Sequence, residues 1–204
     1  MTQVVLCDAD GVTIVPPGYG SSYALETCGC DPKILIPFFA EVFPFCKSGV
    51  KDLKEEITPY LKQVGYPKSA DVFLDTWFRY EHVIDEACLK EIQALRTQGI
   101  YCALATDQEI YRKQYILDQM KFDSYFDTMY ISSDIGHSKT TNAYYDVVFH
   151  DLYKRFPGIE KNQIVLIDDT QDVVDTAKQF GIQAELYTGI HSICGMKIDL
   201  NISV

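Results

Sequence analysis

The chain has 204 residues, 47% hydrophobic and 23% charged, which is ordinary globular composition with enough length to bury a core. A formal net charge of −11 excludes a nucleic-acid partner, because phosphate backbones demand clustered Lys and Arg, and it opposes binding to an anionic membrane. A small phosphorylated metabolite stays compatible with that charge, since one local metal ion and one lysine can override the global field.

In chain order, the first apolar run is Val4 to Cys7, ended by Asp8-Ala9-Asp10-Gly11. The segment Met1 to Asp8 lacks the basic region of a signal peptide, and no apolar stretch reaches bilayer-spanning length. After the loop Pro16-Pro17-Gly18-Tyr19-Gly20 come roughly sixty residues without a strand pattern. Within them, Leu53, Ile57, Leu61 and Val64 recur at helical spacing, and Val72, Phe73, Trp77 and Tyr80 predict a further helix. Pro37 and Pro44 should break the preceding apolar segment into short pieces.

From there the pattern alternates. Leu89, Ile92 and Leu95 share a helical face that should stop at Gly99, and Ile100 to Ala105 reads as a strand. Ile116, Leu117 and Met120 mark the next helix, and Met129 to Ile131 the next strand. The stripe Tyr144, Val147, Val148 and Leu152 leads to the strand Ile164 to Ile167. Val173, Val174, Ala177 and Phe180 form a last helix closed by Gly181, followed by a candidate strand over Ala184 to Tyr187. Short apolar runs with little alternation are strands buried on both faces. The expected fold is therefore α/β: a Rossmann-like parallel sheet with helices on both faces, built from residues 1–14 and 85–204, with a helical insertion over 15–84.

Ligands of an open parallel sheet bind beyond the carboxyl ends of its strands, so the polar residues there carry most information. Asp8 and Asp10, as alternate residues at a strand end, should face one crevice, with Gly11 letting the chain turn away. Two carboxylates so placed call for a hard cation, although Asp after a strand is also a common cap. Thr106 ends the second strand and suits either an N-cap or a contact to a phosphoryl oxygen. Lys139 precedes a helix, where a positive charge opposes the helix dipole. Asp168 and Asp169, with Asp172 close behind, follow the fourth strand.

Asp-x-Asp-Gly, then Thr, then Lys, then Asp-Asp, each at a strand end and in that order, resembles the four-motif pattern of the haloacid dehalogenase (HAD) superfamily. The likeness extends over nearly the whole chain, and the helical insertion resembles the cap of its capped phosphatase branch. The resemblance implies a phosphatase in which Asp8 attacks phosphorus and forms an aspartyl-phosphate, while Asp10 protonates the leaving oxygen and then activates water. It implies Mg2+ held by Asp8, Asp168 and the carbonyl of Asp10, with Asp169 and Asp172 further out or orienting Lys139. Thr106 and Lys139 would neutralise the phosphoryl oxygens. Asp107, where Asn often follows the Thr, Thr140, where Pro often follows the Lys, and His137 depart from the commonest form.

The insertion should select the substrate, with Arg79, Glu81 and His82 as candidate contacts beside Asp107 and a small sugar phosphate as the expected leaving class. Relatives that attack carbon resemble this chain at Asp8 but dispense with the acid at Asp10, which argues for phosphorus. A phosphoglucomutase-like phosphoryl transfer and a non-catalytic phosphate-binding or regulatory protein stay open. Seven cysteines at irregular spacing, including Cys28 and Cys30 without a zinc partner, suit a reducing compartment. A cytoplasmic monomer or homodimer is expected.

Overall fold

The computed structural model describes residues 2–189, so Cys194 and the rest of 190–204 lie outside it. Strand β1 (Val4–Cys7) is buried along its whole length and lies at the centre of a five-stranded sheet. A helical insertion follows, made of α1 (Gly20–Glu26), α2 (Phe43–Lys47), α3 (Leu53–Gln63) and α4 (Ala70–Tyr80). Then come α5 (Glu86–Thr97), β2 (Tyr101–Thr106), α6 (Ile110–Asp118), β3 (Thr128–Ile131), α7 (Ser132–Ile135) and α8 (Asn142–Arg155). The chain continues through β4 (Ile164–Asp168), α9 (Gln171–Phe180) and β5 (Gln183–Leu186). The strand order is β3-β2-β1-β4-β5, and every pairing is parallel. This is the expected Rossmann-like α/β architecture.

Alternation along β1 sets the two layers. Val5 and Cys7 face Leu89, Ile92 and Ile116 of α5 and α6. Val4 and Leu6 face Tyr144, Val148, Val174 and Ala177 of α8 and α9. The insertion has its own apolar centre, with Leu25, Phe38, Leu53, Ile57, Phe73 and Trp77 packed together. Asp52 and Ser69 cap α3 and α4 with side-chain oxygens, satisfying first-turn amides that have no partner within the helix. The prolines act as anticipated: Pro32–Leu35 is a 3-10 turn, Phe38–Val42 a π turn, and α2 lasts five residues.

Two stripe members fall elsewhere than expected. Val72 and Val147 are 41% and 45% exposed, because Phe73 with Leu74, and Tyr144 with Tyr145, already fill the facing grooves. The chain leaves and re-enters the core through neighbouring extended segments. The Val15 amide donates to the Val83 carbonyl at 2.8 Å, and the Asp85 amide to that of Thr13 at 2.9 Å. The insertion therefore hangs from a two-stranded stem directly beside the carboxyl end of β1.

Leu6 is fully buried at the middle of the central strand. Leu6→Ala is expected to destabilise the chain by about 2–5 kcal/mol in urea denaturation, with the far-ultraviolet circular dichroism of the native state retained. A loss under about 1 kcal/mol would mean that the core collapses around the deletion.

Candidate active site

β1, β2 and β4 are neighbours in the sheet and finish within two residues of one another, and their register fixes what stands there. Cys7 pairs with Ile167 and with Leu104, which sets Asp8 level with Asp168 and places Thr106 one residue further on, at the end of the strand on the other side. The Asp8 amide still donates to the Ile167 carbonyl at 3.0 Å, so Asp8 extends the strand by one residue. All three residues are buried, and the loop before α8 delivers Lys139, 2% exposed, into their midst.

The Lys139 ammonium lies 2.7 Å from Asp8 Oδ1 and 2.6 Å from Asp168 Oδ2. Burial alone would push its pKa down, but facing Asp8, Asp168 and Asp107 reverses this and holds the amine firmly protonated. Burial raises the Asp8 carboxyl to about 7, with Asp168 and Asp10 adding to the rise and Lys139 opposing it. Asp8 Oδ1 also accepts from the Ala9 amide at 2.7 Å, whereas Oδ2 has no hydrogen-bond partner among the described residues. Carboxylate oxygens of Asp8, Asp168 and Asp169 all lie within 4.8 Å of one another. One lysine cannot neutralise three acids, and an all-oxygen donor set of this density fits a hard divalent cation. Gly11 closes that corner: it holds φ +81°, and a Cβ there would overlap the Asp169 carboxylate.

Asp10 reaches the crevice by another route than strand alternation. β1 stops at Cys7, and the amides of Val12, Thr13 and Ile14 all turn back onto the Ala9 carbonyl. Asp10 therefore sits on a tight turn, where Gln108 Nε2 donates to its Oδ2 at 2.7 Å and Arg112 Nη2 stands 3.5 Å from its Oδ1. Thr106 is not an N-cap, since Glu109 caps α6, accepting from the amides of Tyr111 and Arg112. The Thr106 hydroxyl accepts from Gln108 Nε2 at 3.2 Å and lines the cavity.

The remaining expected residues divide. Asp107 lines the cavity but is engaged in holding the lysine loop: it accepts from the Lys139 amide at 3.0 Å and from Ser138 Oγ at 2.6 Å. Asp172 is exposed on the first turn of α9 and stands apart from the carboxylate trio. Arg79 turns to solvent and pairs with Asp75, as befits a side chain one helical turn away on an exposed face. His82 Nδ1 lies 3.0 Å from the Tyr115 hydroxyl, and neither Arg79 nor His82 is among the cavity-lining residues. Glu81 does line it, accepting from the Gly20 amide at 2.8 Å.

Sequence reasoning missed Arg112 and Gln108. Arg112 is 3% exposed, donates from Nη1 to the Phe78 carbonyl at 3.2 Å and lies 3.7 Å from Glu81. Its signal was present, because Arg112 precedes the buried Ile116 by one helical turn and so occupies an inward position on α6. The cavity above these groups has a volume near 1380 Å³, larger than the range of about 300–1,000 Å³ usual for small-molecule sites.

Comparison with known proteins accords with this arrangement. Residues 52–186 match the model of the haloacid dehalogenase-like hydrolases. Comparison with curated proteins finds no match. Among solved structures, the HAD family enzyme bt-2542 of Bacteroides thetaiotaomicron, in complex with magnesium and inorganic phosphate, superposes with a TM-score of 0.77 at 18% identity, over 91% of this chain and 94% of that one. A predicted HAD-like family hydrolase of Porphyromonas gingivalis gives 0.72 at 19% identity, over 91% of both chains. A 2-haloacid dehalogenase of Pseudomonas syringae pv. Tomato DC3000 gives 0.65 at 18%, over 92% of this chain and 86% of that one.

Glu109 offers a test of the electrostatics away from the carboxylate trio. It is buried, and burial pushes its pKa up to about 7 despite the two amides it caps and the nearby Arg112. The folded state thus holds this proton more tightly than the unfolded chain. Stability from this group is greatest below the ordinary glutamate range and declines as pH rises through about 7. Between about pH 5 and pH 8, the wild type is expected to lose about 1–3 kcal/mol more stability than Glu109→Gln. Parallel urea-denaturation profiles for the two proteins would refute the assignment.

Proposed function

Because the chain belongs to the haloacid dehalogenase-like hydrolases, we propose that it is a magnesium-dependent phosphatase acting on a phosphate monoester through an aspartyl-phosphate. The observation that carries this reading is the Lys139 ammonium held between Asp8 and Asp168 beside Thr106, at the ends of three adjacent strands. Asp8 is the nucleophile: the Ala9 amide and Lys139 hold Oδ1, which leaves Oδ2 to attack phosphorus in line. Lys139 and the Thr106 hydroxyl offset charge on the transferring oxygens. Asp10, steadied by Gln108 and Arg112, gives its proton to the leaving oxygen and takes one from the water that hydrolyses the acyl phosphate.

Asp8, Asp168 and Asp169 would hold the magnesium ion, with the Asp10 carbonyl as a further ligand. That ion supplies charge neutralisation between the nucleophile and the phosphate. Asp107 acts on Lys139 by fixing its backbone. Among the described residues six cysteines are free, five of them buried, which suits a reducing, cytoplasmic setting, and no helix there is long and apolar enough to cross a membrane.

Phosphate release from a panel of phosphate monoesters, with and without magnesium, tests the reading. Turnover is expected with magnesium, to vanish in EDTA and to return when the ion is restored; activity persisting in chelator would overturn the metal site. Asp8→Asn is expected to lower kcat by about a thousandfold or more while keeping the fold, as loss of a nucleophile does. Near-wild-type hydrolysis by that variant would remove Asp8 from its role.

A further inference from the structure

The cavity over Asp8 has two chemically different halves. Its floor is ionic, with Asp8, Asp10, Lys139 and Asp169 among its residues. Its roof, supplied by the insertion, includes Leu35, Ile36, Phe39, Phe43, Pro44 and Trp77, with the insertion's polar Ser21, Ser22, Lys47 and Glu81 also lining the cavity. Ile36 is 64% exposed, and Phe39 and Phe43 are only partly buried, in a chain whose other large apolar groups mostly fill the three cores. Contiguous apolar surface left open beside a polar site marks a surface that a ligand covers.

The rings of the roof also pack against one another. Ring centroids are 5.1 Å apart for Phe39 and Phe43, 5.7 Å for Phe39 and Trp77, and 6.0 Å for Phe43 and Trp77, mostly in edge or tilted geometry. Each ring is buttressed by the other two. A polyhydroxylated leaving group placed here would lose water from its hydroxyls without gaining partners from Ile36, Phe39, Phe43 or Pro44. A flat apolar group loses nothing of that kind, and an aromatic ring adds edge-to-face attraction to three rings already arranged for it.

We infer that the leaving group of the phosphate ester carries an aromatic ring that packs against Phe39, Phe43 and Trp77 while its phosphoryl group rests at Asp8. This replaces the small sugar phosphate expected from sequence, and it rests on the phosphatase reading. The cavity volume, near 1380 Å³, leaves room for such a body between roof and floor.

The test uses the full chain with magnesium and three esters of primary alcohols: nitrophenylethyl phosphate, octyl phosphate and a hexose phosphate. Their leaving oxygens are all aliphatic, so differences report the roof and not leaving-group acidity. The aryl ester is expected to exceed both others in kcat/KM by about tenfold, a difference within reach of ring burial and ring pairing. Phe39→Ala should cut that preference by about fivefold or more, chiefly through KM. Trp77 is the sole tryptophan, so saturable quenching of its fluorescence by nitrophenylethanol reads roof occupancy without turnover.

Octyl or hexose phosphate matching the aryl ester would overturn the aromatic assignment and leave the phosphatase standing. Saturable quenching with no ester hydrolysed would overturn the phosphatase reading, and with it the leaving-group role. Neither quenching nor hydrolysis would overturn both.

Discussion

Asp8 and Asp168 end neighbouring parallel strands whose register pairs Cys7 with Ile167, so the backbone itself presses two buried carboxylates together. Each would lose hydration and repel the other, and the fold tolerates them because one ammonium stands at hydrogen-bond distance from both. Replacing only the lysine would leave two buried acids without their shared counter-charge. The burden then passes to the loop that carries Lys139. Asp107 fixes that loop by accepting from the Lys139 amide and the Ser138 hydroxyl, and the insertion's Lys47 stands 3.8 Å from the same carboxylate. An acid beside the proposed phosphate site is thus explained as structural support for a cation.

The excess of negative charge is an organising feature in the same sense. Lys139 offsets part of the charge of Asp8, Asp168 and Asp169, and burial has already raised the Asp8 carboxyl. A divalent ion relieves both effects at once, while stronger positive charge built into the protein would blunt Asp8 in its proposed role as nucleophile. Gly11 shows how little space remains, since even a methyl group would collide with Asp169.

Much of this was legible because parallel strands buried on both faces leave a simple trace: four to six apolar residues, then the polar group that meets solvent or substrate. Asp8, Thr106, Asp168 and Asp169 were singled out in that way, and Lys139 by its place before a helix and its order between Thr106 and Asp168. Asp10 was found for a reason the structure revises, since a turn around the Ala9 carbonyl, not strand alternation, brings it to the crevice. Arg79 and His82 show the limit of proximity in sequence. They flank Glu81, yet the end of α4 turns Glu81 inward, Arg79 towards Asp75 and His82 towards Tyr115. Arg112 was hidden because a buried arginine needs partners from distant segments, here Phe78, Glu81 and Asp10, and a single sequence does not display them.

Arg112 also shows why the insertion is more than a cover. It rises from the core helix α6, donates to the Phe78 carbonyl of α4 and stands beside both Glu81 and the acid Asp10. Ser132 of α7 donates to the Lys47 carbonyl at 2.6 Å, and Gly49 lies so close to the Ser133 carbonyl that a Cβ would sit 2.5 Å from it. The seam between core and insertion is therefore tight on both sides of the crevice. Its consequence is electrostatic as well as steric: charges on the floor act more strongly where water is scarce. The apolar side chains of the roof lower the local dielectric beside that floor, while Ser21, Ser22, Lys47 and Glu81 of the insertion line the same cavity. On the proposed reading, the same side chains that sharpen the chemistry would also narrow the range of esters that reach it.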